Sequence, residues 1–60
     1  MTNFKAFSVR IKQAEGNIEQ INKLDWRVSN HYHMGTLTQK EFMKLDDMIF
    51  ALQVKHKLQS

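Results

Sequence analysis

The chain has 60 residues, with nine Lys and Arg against six Asp and Glu, for a formal charge of +3. That length accommodates one domain, residues 1–60, and a chain so short buries only about 60% of the surface its unfolded form exposes. Cysteine is absent, which excludes disulfides and thiolate metal sites. No apolar run approaches the ~18 residues of a membrane span, and the N-terminus lacks the apolar core of a signal peptide. The expectation is a cytoplasmic protein that does not enter a membrane.

There is no proline and there are only two glycines, so long helices are the default reading. In the first half, Phe4, Phe7, Ile11, Ala14, Ile18 and Ile21 follow steps of three and four, an a/d pattern over nearly three heptads. Asp25 interrupts the stripe, with Leu24 beside it, and Val28 and Tyr32 resume it. Val9 and Trp26 fall outside it.

Gly16 lies within this pattern, where it costs roughly 1 kcal/mol relative to Ala in a helix. Asn17 followed by Gln20 has the spacing of an N-cap and its capping-box partner. Two readings follow: one long helix over about residues 4–33, kinked at Gly16, or a break there that gives three helices. The heptad phase runs unbroken from Ala14 to Ile18, which favours the continuous helix. Gly35 then supplies the left-handed residue that ends many helices.

The second helix, over about residues 39–58, has the strongest start signal. Thr38 fits the N-cap and Glu41 completes a capping box, while Leu37 and Phe42 form a hydrophobic staple. Its apolar stripe is Phe42, Leu45, Met48/Ile49 and Leu52, with Phe50 and Val54 outside it. Lys55, His56 and Lys57 suit the negative end of the helix dipole.

Two helices joined by so short a turn lie antiparallel, so the predicted fold is an all-α two-helix hairpin. Its core and self-association seam would be Phe4, Phe7, Ile11, Ala14, Ile18, Ile21, Val28, Phe42, Leu45, Ile49 and Leu52. A hairpin cannot cover both stripes, so a homodimer forming a four-helix bundle is expected. Trp26, Phe50, Val54 and Met43 are the candidates for contact with a protein partner.

Lys5, Arg10 and Lys12 precede the first acid, and Lys55 and Lys57 follow the last. In a hairpin the chain ends meet, which would gather these five at one basic end suited to an anionic partner, either an acidic protein surface or nucleic acid. Chemistry is harder to find. His31 and His33 are two apart and diverge on a helix, whereas a zinc pair prefers steps of three or four. Asp46 and Asp47 are adjacent and also diverge, while paired acid–base carboxylates must converge. No catalytic residue, metal ligand or cofactor is expected.

Ile21-Asn22-Lys23-Leu24, then Gly35-Thr36-Leu37-Thr38-Gln39-Lys40-Glu41-Phe42 and Leu45, resemble the SHOCT family of short helical hairpins, over residues 18–52. The resemblance implies a two-helix, oligomeric interaction module without catalytic residues. The Lys-, Asn- and Gln-rich composition is similar in style to small accessory proteins of bacteriophages, which implies a protein that modulates a host or phage protein. Binding rather than catalysis is the expected function, with a nucleic-acid-binding regulator or a structural assembly part as the alternatives.

Overall fold

The structure is a computed structural model that describes residues 3–59. It is all-α, with α1 at Asn3–Gln13, α2 at Ile18–His33 and α3 at Gln39–Gln59, and no strand among the described residues. The continuous helix predicted over residues 4–33 is therefore corrected to two helices.

The reason is local chemistry at Gly16. Its φ is +87°, a left-handed value that carries a steric cost for residues with a Cβ. The Asn17 N–H donates to the Ala14 carbonyl at 2.9 Å, which closes the turn. Asn17 itself is extended and caps α2, its side-chain oxygen accepting the Gln20 N–H at 3.2 Å. The turn reverses the chain, and α1 packs against both α2 and α3.

The second turn ends α2 with a Schellman arrangement. Gly35 has φ +82°, its N–H donates to the Tyr32 carbonyl at 3.1 Å, and the Thr36 N–H donates to the His31 carbonyl at 3.0 Å. Across this turn the Tyr32 and Phe42 rings stack, with centroids 4.4 Å apart and planes 12° from parallel. The α3 start follows the capping box in both directions. The Thr38 hydroxyl accepts the Glu41 N–H at 3.2 Å, and a Glu41 carboxylate oxygen accepts the Thr38 N–H at 3.1 Å.

The core is intramolecular. Phe7, Ile11 and Ala14 from α1 meet Ile21, Leu24 and Val28 from α2, Leu37 from the turn, and Leu45 and Ile49 from α3. Phe4, Phe42, Met48 and Leu52 close over it, partly buried, and Ile18 is half-buried. Leu24 fills the gap that Asp25 leaves in the sequence stripe. The seam from Phe4 to Ile21, which in a hairpin would have needed a second chain, is thus largely consumed within one molecule. The molecule measures 35 × 18 × 16 Å, and the 21 residues of α3, at a rise of about 1.5 Å each, account for the long dimension.

Two substitutions test these turns. No atom lies within 4 Å of a Cβ built at Gly16, so Gly16→Ala should cost about 1–2 kcal/mol through backbone strain alone. Urea denaturation measures it, and an unchanged midpoint would mean that residue 16 is not left-handed in solution. Thr38→Ala should cost about 0.5–2 kcal/mol by removing the acceptor for the Glu41 N–H, with no loss expected if α3 starts elsewhere.

Candidate functional site

α3 is apolar on two sides. Its inner face supplies Leu45 and Ile49 to the core, while Met43, Phe50, Val54 and Leu58 are exposed. At 100° per residue these four span an arc of about 80°, nearly opposite the inner face. Phe50 is 64% and Leu58 81% exposed, so folding of one chain leaves this stripe in water. Only Asp47 interrupts it. The structure thus brings Met43, Phe50 and Val54 onto one face, whereas Trp26, 68% exposed, stands on α2.

Of the five cations predicted to share one end, Lys12 and Lys55 meet around Glu15 with Lys57 near by in sequence, while Lys5 and Arg10 do not join them. The Asn3 side-chain amide donates to the Thr36 carbonyl at 3.4 Å, so α1 begins beside the α2–α3 turn, and Lys5 lies there with it. Lys55 and Lys57 are at the far end of α3. There Lys55 forms an ion pair with Glu15, and Lys12 borders a depression with Glu15, Met48 and Leu52. The physical reason is the reversal at Gly16, which sends the N-terminus back to the Gly35 end.

Arg10 instead faces α2. Together with Gln13 of α1 and with Gln20, Lys23, Leu24 and Arg27 of α2, it lines a cleft of about 300 Å³. Asn22, Lys23, Trp26 and Arg27 line an adjoining depression. None of Arg10, Lys23 and Arg27 makes an ion pair with a carboxylate among the described residues. The prediction from sequence missed this grouping. Its visible signal was Lys23 and Arg27 one turn apart with Trp26 between them.

Hydrogen bonds fix the far end of α2. The Thr36 hydroxyl donates to the His31 carbonyl at 2.9 Å. With that hydrogen committed, His31 Nδ1 is the donor in its 2.8 Å contact with the same oxygen. The His31 ring also meets Phe7 edge-on, at a centroid distance of 5.0 Å, tying α1 to the turn. His31 is thus occupied structurally. Among the described residues, no three His, Asp or Glu side chains cluster in a way that could hold a metal ion, and no helix is long and apolar enough to cross a membrane.

Two carboxylates have shifted acidity. Hydrogen bonding and then the charge of Lys55 lower the Glu15 pKa, but the pair is exposed and contributes little. Desolvation, and secondarily the charge of Asp46, raise that of Asp25. No family model, characterised protein or solved structure matches the chain.

The Asp25 shift has a definite sign. Unfolded, Asp25 releases its proton near the ordinary value of 3.8, and folded it does so at higher pH. The folded state binds the extra proton in between, so this group lowers stability as pH rises through that window and keeps it lowered above. Asp25→Asn should therefore raise stability around neutrality and leave it unchanged well below pH 3.8. Urea midpoints at the two conditions decide it, and an equal gain at both would remove the acidity from the explanation.

Proposed function

We propose that this protein is a non-enzymatic protein-interaction module that acts through the outer face of α3, and that the partner on that face is a second copy of the chain. The observation that carries the reading is the exposed stripe of Met43, Phe50, Val54 and Leu58, set opposite a core that is already complete. Large apolar side chains aligned on one exposed helix face mark an interaction surface.

Charge selects the partner and its direction. The first half of α3 carries Glu41, Asp46 and Asp47 against Lys40 and Lys44, and the second half carries Lys55 and Lys57 with no acid. An antiparallel pair of α3 helices sets the net negative half of each against the positive half of the other. Parallel pairing would set like against like. Phe50 and Val54 then sit near the two-fold axis, where apolar burial is greatest. The dimer predicted from sequence is retained on a different seam, because the stripe from Phe4 to Ile21 is already packed inside the chain.

Phe50 is outside the core, so Phe50→Asp should leave the helical circular dichroism intact while turning a micromolar dimer into a monomer in sedimentation equilibrium. A native protein that stays monomeric at the highest soluble concentration would overturn self-pairing.

A further inference from the structure

We propose that the cleft between α1 and α2, extended by Trp26, is a binding site for single-stranded nucleic acid, with Arg10, Lys23 and Arg27 on phosphates and Trp26 stacked on a base. This goes beyond the pairing of α3, involves none of its outer-face residues and does not depend on it.

Three cations from two helices converge on the cleft, with the Gln13 and Gln20 amides beside them and Leu24 in its lining. Like charges brought together without an ion-paired carboxylate repel one another, so the grouping itself does not stabilise the fold. No carboxylate among the described residues forms an ion pair with any of the three. Glu15 is engaged by Lys55, Asp25 is set against Asp46 of α3, and Glu19, one turn before Lys23, makes no ion pair. An incoming anion removes the repulsion, and guanidinium groups grip phosphate oxygens with paired N–H donors.

Trp26 decides the class of anion. Lys23 and Arg27 line the adjoining depression as well, beside Trp26 and Asn22. The indole is 68% exposed and the core is complete without it. An acidic peptide would use the cations and leave the indole idle. A base uses it, because every base has a π-face and stacking on an aromatic side chain is tolerant of sequence. A duplex hides those faces in its own stack, whereas an unpaired strand offers successive phosphates and a free base face together. Cations interleaved with a stacking aromatic make the groove and platform of single-strand binding.

The test is fluorescence anisotropy of a labelled oligodeoxythymidine strand titrated with the intact protein. Binding should weaken with salt by about 0.7 log units per phosphate contact for each tenfold increase. The double variant Arg10→Gln, Arg27→Gln, with circular dichroism unchanged, should lower that slope by roughly 1.4 through two lost contacts. Trp26→Leu should keep the slope and lose affinity by about 5- to 150-fold, the range for one stacked base. Phe50→Asp should bind like the native chain, which separates failure here from failure of the α3 pairing. Absence of binding at low salt would overturn the proposal. So would equal displacement of the strand by oligoglutamate, equal affinity for a duplex, or an unchanged slope in the double variant.

Discussion

The left-handed backbone at Gly16 directs α1 back along the other two helices, and the rest of the molecule depends on that reversal. Phe7, Ile11 and Ala14 have nothing to pack on unless α1 turns. With the turn made, they complete a core around Leu45 and Ile49 that is closed within 60 residues. The reversal also decides which charges meet. It carries Lys5 to the Gly35 end, brings Glu15 to Lys55 and sets Arg10 beside Lys23 and Arg27.

α3 serves two environments. One side is the central support against which α1 and α2 pack, and the other keeps Met43, Phe50, Val54 and Leu58 in water. In a single isolated chain the outer residues add nothing to the core. The split of acid and base along α3 suits an inverted copy of the same helix, the pairing proposed above. The cleft on α1 and α2 is assembled from the two helices that leave this face open, so both surfaces are available at once.

The sequence was readable wherever the chemistry is local. Thr38 with Glu41 marks the α3 start because a capping box needs only four consecutive residues. Gly35 marks the end of α2 for the same reason. Gly16 misled because the step of four from Ala14 to Ile18 preserves the heptad phase, whether the intervening residues are helix or turn. The stripe keeps one phase in either case, so the topology did not follow from it. The basic end was placed by that topology, and the reversal removed Lys5 and Arg10 from it. Of the residues carrying the likeness to SHOCT hairpins, Gly35, Thr38 and Glu41 are accounted for by the left-handed glycine and the capping box of the α2–α3 turn, while Ile21, Leu24 and Leu45 are core positions of α2 and α3. Lys23, Trp26 and Arg27 were in plain view, but their relation to Arg10 required the direction of α1.

The preserved phase has a consequence for assembly. Residues 14–17 form a turn which, if straightened, would give an uninterrupted helix with its apolar positions still in register. A molecule opened at this turn keeps the backbone bonds within α1 and α2 but strips Phe7, Ile11 and Ala14 of their neighbours. The same neighbours exist in any other opened molecule, so two chains can trade their first helices and restore both cores. A substitution that disfavours positive φ at residue 16 would strain the closed turn and, at high concentration, would make exchange of first helices between two chains a route that relieves it.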